Sequence, residues 1–212
     1  MSASWVEVLA WVAERLNGER IEWMLVGSAA TALHGVGVVP GDIDIAVRDA
    51  VDVERAAAVL PTPEGPLGEV DDPADWVSTA VEPVLRFEHA GERWTFGKWM
   101  IGGVKVELAH IDAPDVAGLM LETRSPLVWL EREAVDCRGQ RVPTVPIEVQ
   151  LATMVARQQD ARLQATIADL DSAAVNGTLL RRAISDRRVE APALKVPESV
   201  RRLLDGGRAR TD

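Results

Sequence analysis

Apolar positions recur at helical spacing from the start of the chain. Over residues 4–17 (SWVEVLAWVAERLN), Trp5, Val8, Leu9, Val12 and Leu16 share one helical face. Ser4 is placed to cap this helix, Glu7 completes a capping box, and Asn17-Gly18 ends it. The period then shortens. Ile21–Val26 is a strand-like apolar run that stops at Gly27-Ser28, and Ala29–Leu33 predicts a helix directly after the glycine. A Gly-rich loop, 34–41, with Pro40, leads into a strand over Ile43–Val47. Val51–Leu60 predicts a helix with Asp52 in its first turn, and residues 61–75 an irregular loop rich in Pro, Gly and acid.

Three strands follow, over Val84–Glu88, Arg93–Ile101 and Val104–Ile111, with Ala90-Gly91 and Gly102-Gly103 at the hairpin turns. Residues 113–145, with Pro114, Pro126 and Pro143, carry no clear period. Ile147 opens a helix expected to reach about Ala174, with a break at Asn176-Gly177. Leu179–Ile184 and Glu198–Leu204 predict shorter helices, and GGRARTD a frayed end. This order predicts an α/β (α+β) chain with a mixed sheet flanked by helices. The expected organisation is a core over 1–145 and a helical C-terminal region over 146–212.

Composition narrows the class. Hydrophobic residues make up 47% of the 212, enough to bury a full core. No apolar run approaches the roughly 20 residues a membrane span needs. The N-terminal residues lack the basic, apolar and small-residue regions of a signal peptide. The single cysteine, Cys137, has no partner for an internal disulfide, which suits a reducing compartment. The expected location is the cytoplasm, with no membrane partner.

The net charge of −10 gives no general grip on nucleic acid. It is unevenly spread: residues 1–140 carry −13 (11 Lys/Arg, 24 Asp/Glu) and residues 141–212 carry +3 (12 against 9). The Arg181–Arg182, Arg187–Arg188 and Arg201–Arg202 pairs are read first as solvated helix surface.

Candidate chemistry concentrates in Trp23–Val47, WMLVGSAATALHGVGVVPGDIDIAV. A buried strand ends in Gly27-Ser28 where a helix begins, and a helix start offers unpaired N–H groups to phosphate. Asp42 and Asp44 follow on a strand, on one face, about 6–7 Å apart along the chain. Carboxylates that close repel each other unless a cation lies between them, and Mg²⁺ prefers carboxylate and phosphate oxygens. A third acid is needed on a neighbouring strand. Glu107, alone among apolar residues in Val104-Lys105-Val106-Glu107-Leu108, is the first choice, and Asp112 the alternative.

Gly27-Ser28, Asp42-Ile43-Asp44 and a later strand acid together resemble the DNA polymerase beta-type nucleotidyltransferase superfamily. The wording VGSAATALHGV…GDIDIAV is most similar to small bacterial members: AbiEii/MenT-like toxins of toxin–antitoxin systems, and the lincosamide and aminoglycoside nucleotidyltransferases. The resemblance covers about residues 21–111. It implies that Gly27 and Ser28 bind the triphosphate of an NTP, and that Asp42, Asp44 and Glu107 are the catalytic, Mg²⁺-holding acids, with Glu107 also a general base. The toxin-like proteins it resembles carry Lys and a nearby Asp on a later helix for a nucleotide contact; LATMVARQQDARL has no lysine, and Arg157 and Asp160 are the nucleotide-binding residues the resemblance implies there. Implied partners are NTP, an acceptor that is tRNA or a small molecule, and a cognate antitoxin.

The remaining candidates have plainer readings. Ser28 and Asp42 can serve as caps. His34 reads as a loop residue, and Gly35-Val36-Gly37 is too short for a dinucleotide motif. His89, His110 and Cys137 form no zinc-like spacing. Lys98 and Lys105 are expected to pair with surface acids, and Trp94 and Trp99 to pack against the sheet.

Overall fold

A computed structural model describes residues 4–64, 75–113, 116 and 118–206. The expected loop over 61–75 and the expected tail fall largely outside these residues, as does Pro114.

The first helix, α1 (Trp5–Gly18), carries the capping box: Glu7 N–H donates to Ser4 Oγ, and the Ser4 N–H to the Glu7 carboxylate. Its apolar stripe (Val8, Leu9, Val12, Leu16) is buried. Strand β1 (Trp23–Val26) is buried throughout and runs into α2 (Gly27–Leu33). Strand β2 (Asp42–Val47) and α3 (Ala50–Val59) follow. Then come β3 (Leu85–His89), β4 (Glu92–Ile101) and β5 (Val104–Asp112). Both hairpin turns have two residues at positive φ, Ala90-Gly91 (52° and 80°) and Gly102-Gly103 (60° and 86°). That geometry matches the twist of the flanking strands.

The stretch without a readable period holds a 3₁₀ turn (Glu122–Arg124), the short α4 (Pro126–Leu130), and a hairpin of β6 (Glu133–Cys137) and β7 (Gln140–Thr144). This hairpin also turns on two positive-φ residues, Arg138 (56°) and Gly139 (82°). An arginine in the first position hides the usual Asn-Gly signal.

The long helix expected from Ile147 is two helices, α5 (Ile147–Ala156) and α6 (Asp160–Asp169). Gln158, at φ 54°, breaks the run. Every residue of α5 from Ile147 to Val155 is buried, whereas α6 buries only Leu163 and Thr166. Helices with such different surroundings need different directions. The expected short helix at Leu179–Ile184 is longer, α7 (Gly177–Glu190), capped by Asn176; α8 spans Glu198–Gly206.

The seven strands form one mixed sheet in the order β3-β4-β5-β2-β1-β7-β6. β1 runs antiparallel to β2 and parallel to β7; β2 runs parallel to β5. Side chains from the sheet, α1, α3, α5, α7 and α8 join one hydrophobic core. Among the described residues, no helix is long and apolar enough to cross a membrane.

Candidate active site

The centre of the sheet positions the acids. In the β2–β5 register, Asp42 faces Lys105 and Asp44 faces Glu107. Ile43, Ile45, Val106 and Leu108, which alternate with them, are buried. The pleat therefore sends the four charged residues to the opposite face together. Asp42, Asp44 and Glu107 each offer a carboxylate oxygen, and these oxygens lie within 4.8 Å of one another. All three side chains are half-buried. Hard oxygen donors at this spacing suit a divalent cation such as Mg²⁺.

Lys105 belongs to the same cluster. Its Nζ lies 3.0 Å from Asp42 Oδ2 and 3.2 Å from Glu107 Oε1. It pairs with the site's own acids, not with surface acids as the sequence reading expected. Partial burial opposes its charge, but hydrogen bonds to Asp42 and Glu107 outweigh this and hold the ammonium above its ordinary pKa. Burial, then the charges of Asp42 and Glu107, push Asp44 up to about 7 against the pull of Lys105. A metal-free site of this kind stores repulsion that a cation relieves.

Gly27 opens α2 at φ 68° and stands beside Asp44, because Val26 is opposite Asp44 in the β1–β2 register. A Cβ at Gly27 would lie 2.2 Å from Asp44 Oδ2, so no other residue fits there without moving the carboxylate. Ser28 is not the helix cap: Val26 holds that position and no side chain caps α2. The Ser28 hydroxyl is therefore not committed to capping.

A cavity of about 220 Å³ extends from the acids over β5 and β4. Asp44, Glu107 and Gly27 line one end, and Ala109, Ile111, Phe96 and Trp94 continue along it. Phe87 stacks on Trp94 with ring centres 5.7 Å apart and an interplanar angle of 16°. Phe87 stands opposite Trp94 on the neighbouring strand β3. Trp94 thus packs as expected and also faces the site; Trp99 is simply buried.

Arg157 reaches the rim of this cavity from the end of α5, paired at 3.1 Å with Glu122 Oε2. Glu122, a fourth acid that the sequence reading missed, is held by Arg157 and by the buried Arg187 at 3.6 Å. Arg187 also donates to Thr153 Oγ1 at 2.7 Å and pairs with Glu190, and Arg124 joins Glu190 to Glu92. This network fastens α5 and α7 to the sheet edge of the site. No local sequence pattern marks Glu122, because its partners are 35 and 65 residues away in sequence.

The other candidates lie elsewhere. Asp160 lines a different cavity, with Val155, Lys195 and Val196. Asp112, the alternative third acid, is paired with Arg93 outside the cluster. His34 Nε2 is 2.8 Å from the Val145 carbonyl, a structural contact. Among the described residues, His89, His110 and Cys137 join no metal-binding group.

No family model and no curated protein matches the sequence. The fold does match that of solved structures. A candidate nucleotidyltransferase from Thermotoga maritima superposes with a TM-score of 0.51 at 22% identity, over 76% of this chain and 89% of its own. The chain has a nucleotidyltransferase fold. An antigenic nucleotidyltransferase-like protein from Paracoccidioides brasiliensis aligns over 99% of this chain and 96% of its own, with 15% identity and a TM-score of 0.45.

Proposed function

We propose that this chain transfers a nucleoside monophosphate from an NTP to an acceptor hydroxyl. The observation that carries this reading is the convergence of Asp42, Asp44 and Glu107 beside the glycine that opens α2. Asp42 and Asp44, with Glu107 beside them, would hold Mg²⁺, which when bound offsets the charge of the substrate phosphates. Gly27 and Ser28 receive the triphosphate where α2 presents free N–H groups, and Arg157 contributes a positive charge at the rim. The acceptor oxygen forms a bond to the α-phosphorus, the bond from that phosphorus to the bridging oxygen breaks, and pyrophosphate leaves. The hydroxyl proton passes to the Glu107 carboxylate. Asp160 has no part in this scheme.

The acceptor side follows from in-line displacement, in which the attacking and leaving oxygens lie on opposite sides of the phosphorus. With pyrophosphate toward α2, the acceptor approaches across β5 and β4, where Trp94 and Phe96 offer aromatic surface. A nucleobase can stack on such surface. The favoured acceptor is the end of an RNA, with a tRNA 3′ end as the first candidate, as the resemblance to toxin-like nucleotidyltransferases implies.

Incubation with each α-labelled NTP, Mg²⁺ and total bacterial RNA tests this. Label entering tRNA with wild type and not with Asp42→Ala is the expected result. Label entering an added aminoglycoside or lincosamide instead would replace the RNA acceptor with a small-molecule one. No pyrophosphate release with any acceptor would refute the transfer itself.

A further inference from the structure

The position between Asp42 and Glu107 is already held by a cation that the chain supplies. Lys105 stands opposite Asp42 and two residues before Glu107, and its ammonium lies within hydrogen-bonding distance of both carboxylates. Asp44 sits differently: its Oδ2 lies against the backbone of Gly27, at the end of the site where α2 begins. The three carboxylates are thus divided. One pair is bridged by lysine, and Asp44, beside Gly27, stands outside that bridge.

Phosphoryl-transfer sites with three acids can hold two divalent ions roughly 4 Å apart. Two divalent ions and this ammonium would crowd so small a cluster, because like charges at that separation repel. Among the chain's own groups the charges balance with fewer: before the nucleotide binds, one divalent ion and one ammonium offset three carboxylates. The face on which Lys105 stands is also fixed by the fold. Val106, its neighbour, is fully buried, so β5 cannot slip by one residue to turn the lysine away.

Resting on the nucleotidyl-transfer reading, we propose that Lys105 replaces one of two divalent ions. The site would then bind a single metal ion, held by Asp42 and Asp44. The ammonium supplies the second positive charge, on the Glu107 side from which the acceptor hydroxyl arrives. There it holds Glu107 in place and offsets the charge that gathers as the hydroxyl loses its proton.

The test counts metal ions and needs no turnover. Mn²⁺ is titrated into wild type, Lys105→Met and Lys105→Gln, each with the α,β-methylene analogue of each NTP in turn. Bound ions and spin coupling are read by electron paramagnetic resonance, and circular dichroism checks that both variants fold. One bound Mn²⁺ per wild-type complex, and a coupled pair of ions in both variants, is the expected result. Two ions in wild type would overturn the proposal while leaving the transfer reading intact. A single ion in wild type and variants alike would also overturn it, since the ammonium would then exclude nothing. No bound Mn²⁺ in any protein would remove the transfer reading and this inference together.

Discussion

Neighbouring residues on β2 and β5 meet opposite surroundings. Ile43 and Leu108 are fully buried in the core, while Asp42, Asp44, Lys105 and Glu107, one residue away, crowd four charges onto the other face. One face lowers the free energy of the fold by removing apolar surface from water. The other raises it, since Asp44 loses solvation beside two more carboxylates. The same backbone alternation that packs the core thus assembles the site. A face that costs stability and is nevertheless built by the central strands is a mark of function.

That contrast can be broken at either face. The largest effect expected is on transfer itself: Asp44→Asn should lower the rate by about 10³-fold or more, several kcal/mol of barrier, measured as pyrophosphate release. Leu108→Ala should do the reverse. It should cost about 3 kcal/mol of stability in denaturant titration, while the fraction that stays folded keeps metal and nucleotide binding. Gly27→Ala probes the point where the two faces meet. Its positive φ and the blocked space at Asp44 Oδ2 should cost about 2 kcal/mol and weaken metal binding as well. A variant with unchanged stability and metal affinity would refute the close approach of Gly27 to Asp44.

The smallest effect is the most specific to the charged face. Asp44 binds its proton more tightly folded than unfolded, with its pKa raised from 3.8 to about 7. The folded state therefore holds the extra proton between these values, and metal-free stability should fall as pH rises from about 4 to about 7. Asp44→Asn should remove that slope and stabilise the metal-free protein by about 1–2 kcal/mol near neutral pH, after allowance for partial solvation. Mg²⁺ should flatten the slope in wild type. Thermal melts across this range, with and without Mg²⁺, measure both effects.

The sequence showed these two faces unequally. Strict alternation in Asp42–Ile45 and Val104–Leu108 made the acids and their strand neighbours readable, because a period of two fixes which side chains share a face. The capping box of α1 and the double-glycine turn at Gly102-Gly103 were readable for the same local reason. Which strands lie side by side was not. The β2–β5 pairing that brings Lys105 to Asp42 joins residues 63 apart, so Lys105 read as an ordinary surface cation. Glu122 and Arg187 escaped because a salt bridge between distant segments leaves no local spacing. The break at Gln158 was hidden because one left-handed residue can redirect a helix without a Gly or Pro to announce it.

The central claim is that the charged face holds a metal–nucleotide complex, and calorimetry addresses it directly. Each NTP is titrated into wild type with Mg²⁺, into wild type with EDTA, and into Asp44→Asn with Mg²⁺. Saturable binding in the first case, lost in the other two, is the predicted result. Equal binding in all three, or none in the first, would contradict the account.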